Sequence, residues 1–331
     1  MDLKPFFHHT PIRWGIIGCG AVTEVKSGPA YQLTEGFQVA MVMRRDKEMA
    51  KDYAERHGIV SYTNDALELI QNPAIDAVYV ATPPDSHKFY GLLVANAGKP
   101  CCIEKPMAPN FKESLELYNA FQEKNLPLFI AHYRRSLPRF NQVKQWLDEG
   151  VIGNIRHVRW YLGKPPNKID LSGAYNWRTD KKIALGGYFD DLASHGLDLF
   201  SYFFGKVKEA KGISINQLGL YDAHDAISAS WIYGNGITGE GSWNFGVGVR
   251  EDWVEIYGSK GKIKFSVFEE QPLQLENGQG LQELKIAHPK HIQQYHVANI
   301  KKHLLGIEQH PSLGDSGLHA SWVMDKILGV L

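Results

Sequence analysis

The first 132 residues of this 331-residue chain alternate short apolar runs with segments of helical spacing. Strands are predicted at 12–17, 37–43, 77–81, 100–103 and 128–131. Strands separated by helices form right-handed βαβ units and a doubly wound parallel sheet with both faces covered. Ligands of such sheets bind beyond the carboxyl ends of the strands. We therefore expect Gly18, Thr82, Glu104 and His132, which follow strands, to converge on one crevice.

A glycine turn follows the first strand and opens the first helix. Gly18 permits the tight turn, and Gly20 lets the backbone approach a pyrophosphate at a helix N-terminus. The third position of the motif holds Thr23 rather than Gly or Ala, which loosens helix–strand packing without blocking phosphate. The strand–turn–helix context predicts a dinucleotide site. Its predicted residues are Gly18, Cys19, Gly20, Ala21 and Val22.

The end of the second strand carries arginines where NAD-binding chains usually place an acidic residue. Arg44 and Arg45 follow Met43, and guanidinium groups suit a 2′-phosphate. The pattern favours NADP over NAD. The alternative is that both arginines are solvated and that Asp46 only caps the next helix.

A second group of candidate functional residues follows Gly186-Gly187, where helical spacing resumes. Asp191 and His195 are four residues apart and therefore share one helix face. A carboxylate beside an imidazole is a plausible proton-transfer pair, because the unperturbed histidine pKa lies near neutrality. A solvated surface pair and a pair of metal ligands are the alternatives; we predict no metal.

Composition excludes several classes of function. Lys plus Arg and Asp plus Glu balance at 36 each, so no electrostatic argument favours nucleic acid or an anionic membrane. The three cysteines fit neither a disulfide framework nor a zinc site, and they suit a reducing compartment. No signal-peptide run or membrane span is visible, so we expect a cytoplasmic protein.

The second half of the chain has a different pattern. Strand-like runs at 155–161, 207–215, 224–233, 237–245, 253–258 and 262–267 alternate with turns, including the hairpin signal Asn235-Gly236. They predict a mainly antiparallel sheet with one face on helices and one face free. Helices are predicted at 288–305 and 314–330, and His291, His296 and His303 are interpreted as surface or interface histidines.

The ordered motifs resemble the Gfo/Idh/MocA family of oxidoreductases over nearly the whole chain. They are Gly18-x-Gly20, Ala81-Thr82-Pro83, Glu104-Lys105-Pro106 and Gly186-Gly187 leading to Asp191-x-x-x-His195. The resemblance implies a Rossmann domain, 1–132, and an α/β domain with a large open sheet, 133–331, whose C-terminal helix can pack back on the first domain. It also implies a homodimer or homotetramer through that sheet.

The same resemblance implies hydride transfer between NADP or NAD and a secondary alcohol or ketone of a sugar, polyol or related cyclic alcohol. His195 is the expected base, Asp191 its orienting carboxylate and Lys105 the group that stabilises alkoxide charge. Further cofactor contacts are expected from Thr82, Pro83, His87, Glu104 and Lys105. Substrate contacts are expected from Lys105, His132, Tyr161, Trp177, Arg178, Asp191 and His195.

Two other functions remain open at this point. A redox-neutral enzyme holding NAD can oxidise a sugar transiently and cleave a glycosidic bond. A non-catalytic nucleotide-binding regulator can use the same fold, because fold does not fix function.

Overall fold

The computed structural model of the protein describes residues 3–331. The chain divides into two compact units. The first contains the residues up to Leu137 together with Pro289–Leu318. The second contains Pro138–His288 and His319–Leu331.

The first unit is built on a parallel sheet of six strands in the order β3-β2-β1-β4-β5-β6. The strands are β1 Ile12–Ile17, β2 Phe37–Met43, β3 Ser61–Thr63, β4 Ala77–Val80, β5 Cys101–Ile103 and β6 Leu128–Ile130. The helices are α1 Ala21–Val25, α2 Gly28–Leu33, α3 Lys47–Arg56, α4 Ala66–Gln71, α5 His87–Asn96, α6 Phe111–Glu123 and α10 Gln294–Leu304.

Both faces of this sheet are buried. Trp14 and Ile16 of β1 lie in one apolar cluster with Tyr31 of α2, and Val297 and Ile300 of α10 join them. The opposite cluster collects residues of α4, α5 and α6. Burial on both sides explains why the strands read as almost continuous apolar runs.

The second unit is built on an eight-stranded sheet in the order β14-β13-β12-β11-β7-β10-β9-β8. The strands are β7 Ile155–Gly163, β8 Val207–Ile215, β9 Ala226–Tyr233, β10 Thr238–Asn244, β11 Glu251–Gly258, β12 Gly261–Phe265, β13 Leu273–Asn277 and β14 Gly280–Leu284. The helices are α7 Pro138–Asp148, α8 Lys168–Ser172 and α9 Tyr188–Phe204. The β7–β10 pair is parallel and the other pairs are antiparallel.

Helix α9 covers one face of this sheet. Trp160 of β7 packs its ring edge-on against Phe200 of α9 at 5.5 Å between ring centroids. It lies so close to Gly196 that a Cβ on that glycine would be 2.4 Å from the indole ring. Because side chains alternate along a strand, the neighbours of Trp160 in β7 face away from α9. The predicted fold class, a Rossmann sheet plus a mainly antiparallel sheet, is confirmed.

The division into units differs from the predicted boundary at 132/133. Residues 289–318 belong to the first unit because α10 carries an apolar face into its core. The last helix, α11 Gly314–Leu328, is shared between the two units. Elements with weak patterns, β3, α4, α7, α8, β13 and β14, were not predicted.

One histidine prediction is wrong. His296 is fully buried, and its ring packs edge-on against His310 at 4.7 Å between centroids. The Sγ atom of Cys102 lies 3.7 Å from its Nε2 atom. His296 precedes Val297 on the buried face of α10, so it enters the core instead of the surface.

Within the described residues, no helix has both the length and the apolar character that crossing a membrane requires.

Candidate active site

The glycine turn of the first unit follows β1 at the carboxyl edge of the sheet. Gly18 has φ +90°, and a Cβ there would lie 2.8 Å from Thr82 Cγ2 and 2.9 Å from Thr82 N. A Cβ on Gly20 would meet only Gly18 O, at 3.9 Å, so the backbone is open on that side. Gly20 is also the N-cap of α1. The turn therefore fits the pyrophosphate of a dinucleotide.

The departures from the glycine motif are accommodated locally. Thr23 is fully buried, and its hydroxyl donates to Gly20 O at 2.9 Å. Cys19 is buried as well, and this burial raises the pKa of its thiol to about 11. The thiol is therefore neutral at physiological pH. Ala21 is exposed and Val22 half-buried at the start of α1.

Arg44, which follows β2, contacts the glycine turn through its side chain. Its Nη1 atom donates to Cys19 O at 3.3 Å. Arg45 is exposed, and Asp46 is the N-cap of α3, accepting from Met49 N at 3.0 Å. Asp46 therefore has the capping role that the sequence suggested, while a guanidinium group borders the turn.

The His87 side chain lies between the loop that follows β4 and the loop that follows β5. It is fully buried, with Nδ1 2.9 Å from Pro106 O and Nε2 2.8 Å from Thr82 O. Burial lowers the pKa of the imidazole, and a neutral ring donates to only one of these carbonyls. This geometry does not support the predicted direct contact between His87 and a cofactor, because both ring nitrogens face backbone oxygens. Beside it, Thr82 is half-buried and Pro83 is exposed.

The Glu104-Lys105-Pro106 segment follows β5, and its Lys105–Pro106 peptide bond is cis. Glu104 Oε1 accepts from the Tyr79 hydroxyl and from Gln293 Nε2, both at 2.6 Å. Its Oε2 atom accepts from Lys105 N at 3.3 Å. Tyr79 and Gln293 were not predicted as part of this site, since Gln293 lies 189 positions away. The buried His132 follows β6 at the same edge of the sheet.

In the second unit, Gly187 shapes the start of α9. Its φ is +61°, and a Cβ there would lie 2.6 Å from His224 O, so only glycine fits. Asp191 lies in the first turn of α9, and His195 lies one turn later. His195 is 4% exposed, with its ring edge-on to Phe268 at 5.9 Å between centroids.

Arg178 connects the segment before α9 with Asp191. Its Nε atom donates to Asp191 Oδ2 at 2.7 Å, and its guanidinium lies 4.3 Å from the centre of the Trp177 ring. The structure thus brings together three of the predicted substrate residues of the second unit, Trp177, Arg178 and Asp191.

A polar cluster beside this pair was missed in the sequence. Tyr188, the first residue of α9, donates its hydroxyl to Asp170 at 2.8 and 2.9 Å. Asn176 and Asn167 donate to the same hydroxyl oxygen. The Asn167–Asp170 capping box of α8 was the available sequence signal.

Tyr161 does not belong to this side of the sheet. It follows Trp160 on β7, so it faces away from α9, and its ring lies 5.8 Å from Trp253 on the neighbouring strand. The prediction that Tyr161 contacts substrate together with Asp191 and His195 is therefore corrected. Strand alternation gives the relative faces, but only the packing of α9 fixes which face is covered.

Among residues 3–331, no group of three or more His, Cys, Asp and Glu side chains is arranged to hold a metal ion.

Both parts of the chain match models of known protein families. Residues 12–132 match the model described as oxidoreductase family, NAD-binding Rossmann fold, and residues 140–264 match the GFO/IDH/MocA C-terminal domain. Oxidoreductase P35 of Formosa agariphila is 37% identical over 96% of this chain and 98% of its own length. The chain belongs to the Gfo/Idh/MocA family of oxidoreductases.

More distant members of the family carry names that include a substrate. The 1,5-anhydro-D-fructose reductase of Ensifer adhaerens is 25% identical over 92% of each chain. The solved levoglucosan dehydrogenase, in complex with NADH and levoglucosan, has the same fold, with a TM-score of 0.84 and 23% identity over 96% of each chain. This Gfo/Idh/MocA member is an oxidoreductase with an NAD-binding Rossmann domain, which confirms the predicted enzyme class.

Proposed function

We propose that this family member transfers hydride between a nicotinamide cofactor and a secondary alcohol or ketone of a sugar, polyol or related cyclic alcohol. The observation that carries the proposal is the buried His195, one helical turn after an ion-paired Asp191. The substrates in the names of the relatives, an anhydro-sugar and levoglucosan, support the substrate class.

A bound nicotinamide would accept the hydride with its two electrons during oxidation and donate it during reduction. His195 takes the hydroxyl proton as general base, or returns it in the opposite direction. Asp191 orients the imidazole, and its pairing with Arg178 keeps the carboxylate in place. Lys105 donates a hydrogen bond to the reacting oxygen and stabilises developing negative charge.

We also propose NADP as the preferred cofactor. The support is Arg44, whose guanidinium borders the glycine turn, with Arg45 next to it in the sequence. A planar guanidinium suits a 2′-phosphate because it donates several hydrogen bonds in a fixed arrangement. Gly18, Cys19, Gly20, Ala21 and Val22 are the residues proposed for the pyrophosphate, with Thr82 and Pro83 beside them.

The experiment is a panel of sugars, polyols and cyclic alcohols with NADP and with NAD, followed by the absorbance of reduced nicotinamide. Lys105→Ala and His195→Ala are each expected to lower kcat/KM by at least about 100-fold on any substrate found. Exposed Lys112 and His8 provide the matched controls Lys112→Ala and His8→Ala, which should leave kcat/KM unchanged.

Three outcomes would contradict this proposal in part or whole. A loss below tenfold in Lys105→Ala or His195→Ala would remove the catalytic assignment. Tighter binding of NAD than of NADP would remove only the cofactor preference. Release of free sugar from a glycoside without net reduction of nicotinamide would replace the dehydrogenase with a redox-neutral cleaving enzyme.

We further propose that copies of the chain associate through the face of the second sheet opposite α9. That face carries Tyr161 and Trp253, and Arg159 pairs with Glu240 there at 2.9 Å. A depression of about 230 Å³ on this face is lined by Arg159, Tyr161 and Glu240. Sedimentation at micromolar concentration is expected to give the mass of a dimer or tetramer, and a monomer would contradict the proposal.

A further inference from the structure

Lys164 directly follows β7 and lies near the start of α9. Trp160, Leu162 and Lys164 are successively two residues apart, so their side chains point to the same face of the sheet. Trp160 packs against α9 on that face. Consistently, Lys164 Nζ lies 4.1 Å from the centre of the Tyr188 ring, at the first residue of α9. The ammonium group is therefore on the same side of the sheet as Asp191.

The ammonium of Lys164 has no carboxylate partner among the described residues. Within residues 3–331, the salt bridges of the second unit pair other side chains, and the one hydrogen bond of Lys164 runs from its backbone N–H to Asn244 O at 3.0 Å. Lys164 is half-buried. An aromatic face compensates only part of the lost hydration of a cation, so an anion is the missing partner.

The two carboxylates near Lys164, those of Asp170 and Asp191, already have other hydrogen-bond or ion-pair partners. Asp170 is buried and accepts from the Tyr188 hydroxyl and from Asn176 Nδ2. Asp191 pairs with Arg178 Nε at 2.7 Å. Neither carboxylate reaches Lys164 in an ion pair, which leaves its positive charge for a ligand.

Arg178 offers a second open donor. Its Nε atom is used by Asp191 and its plane lies over Trp177, while no hydrogen bond within residues 3–331 uses its terminal nitrogens. Burial lowers the pKa of Lys164, and the nearby cations Arg250 and Arg178 lower it further, whereas Asp170 and Asp191 raise it. An anion bound next to Lys164 would offset the repulsion from these cations.

We propose that the substrate carries a carboxylate that Lys164 binds, with the terminal nitrogens of Arg178 as the second anchor. The substrate class is thus a sugar acid rather than a neutral sugar. This proposal rests on the proposed function, because it concerns the substrate of the same site. It adds Lys164 as a specificity-determining residue.

The experiment compares acidic and neutral members of matched pairs: glucuronate with glucose, galacturonate with galactose, and gluconate with sorbitol. Binding to the full chain saturated with NADP is followed by tryptophan fluorescence, since Trp177 lies beside Arg178. At least one acid is expected to bind about 10- to 100-fold more tightly than its neutral partner, the range of a charge-assisted hydrogen bond.

Lys164→Met keeps the aliphatic stem and removes the charge, so it is expected to abolish that preference while leaving neutral sugars unchanged. Lys164→Arg keeps the charge and should retain most of the preference. Lys168→Met is the matched control, because Lys168 is exposed on α8. None of the three variants should unfold at a lower denaturant concentration than wild type, which separates binding from folding.

Equal binding of acid and neutral partner in every pair, absence of binding by every acid, or a preference that survives in Lys164→Met would overturn the proposal. A failure of the proposed function appears elsewhere, as turnover that persists in His195→Ala. Because the binding assay does not depend on turnover, the two failures can be told apart.

Discussion

Each unit has a buried carboxylate immediately before a predicted catalytic residue, and the two carboxylates are held very differently. In the first unit, Glu104 precedes Lys105 and accepts hydrogen bonds from Tyr79, Gln293 and the Lys105 amide. In the second unit, Asp190 precedes Asp191, and its Oδ2 atom accepts from Gly186 N at 3.0 Å.

The second carboxylate is left incompletely satisfied. Asp190 Oδ1 has no hydrogen-bond partner within the described residues. Burial raises the pKa of Asp190 to about 7, with smaller contributions in the same direction from Asp325 and Asp191. The turn that carries Lys105 is therefore held by a carboxylate that accepts hydrogen bonds at both oxygens, whereas the start of α9 contains a group that titrates near neutrality.

The largest effect is expected from removing the Glu104 carboxylate. Glu104→Leu removes the acceptor of the Tyr79 hydroxyl and of Gln293 Nε2 and leaves both donors buried. At about 1–3 kcal/mol for each unsatisfied donor, the free energy of unfolding should fall by about 3–5 kcal/mol. Urea unfolding measures this change.

Two controls define the cause of that loss. Glu104→Gln keeps an acceptor at Oε1 and should lose less than half as much stability. Glu35→Leu, at an exposed position whose side chain makes no hydrogen bond to any of the described residues, should change stability by less than about 0.5 kcal/mol. An equal loss in Glu104→Leu and Glu104→Gln would show that charge, not the unsatisfied donors, dominates.

The next effect concerns Asp190 and depends on pH. Its folded pKa of about 7 lies above the ordinary aspartate pKa of 3.8, so the folded state binds more protons between these values. Stability from this group is complete below pH 4 and is lost as pH rises through 7. For a difference of roughly 3 pH units, the loss is about 2–4 kcal/mol.

Asp190→Asn removes this dependence because the amide stays neutral. The variant should gain about 2–4 kcal/mol relative to wild type between pH 4.5 and pH 8, measured by urea unfolding across that range. Asp148→Asn is the control, since Asp148 is 61% exposed in its pair with Lys144. A stability difference that is independent of pH would mean that Asp190 does not titrate in this window.

These contrasts show where sequence interpretation succeeds and where it stops. The bounds of β1 and β2, the glycine turn, and the helix carrying Asp191 and His195 follow from local patterns, and they agree with the structure. The hydrogen bond between Glu104 and Gln293 cannot be predicted from a local pattern, because Gln293 reaches Glu104 only when α10 packs on the first sheet. Likewise, the pairing of Arg178 with Asp191 depends on a fold of the intervening loop that no short-range pattern determines.

The smallest effect is expected at Tyr161, where strand alternation decides the outcome. Tyr161 faces away from α9, and its ring contacts Trp253 instead of the side that carries Asp191. Tyr161→Phe keeps this ring contact, so kcat/KM on any substrate should stay within about twofold of wild type and stability within about 0.5 kcal/mol. Trp177→Phe, on the α9 side, is the matched variant. It should raise KM by more than Tyr161→Phe does, because the Trp177 ring packs against the Arg178 guanidinium. A tenfold loss of kcat/KM in Tyr161→Phe would mean that the open face of the sheet participates in catalysis. In that case the assignment of substrate contacts to the α9 side would have to be abandoned.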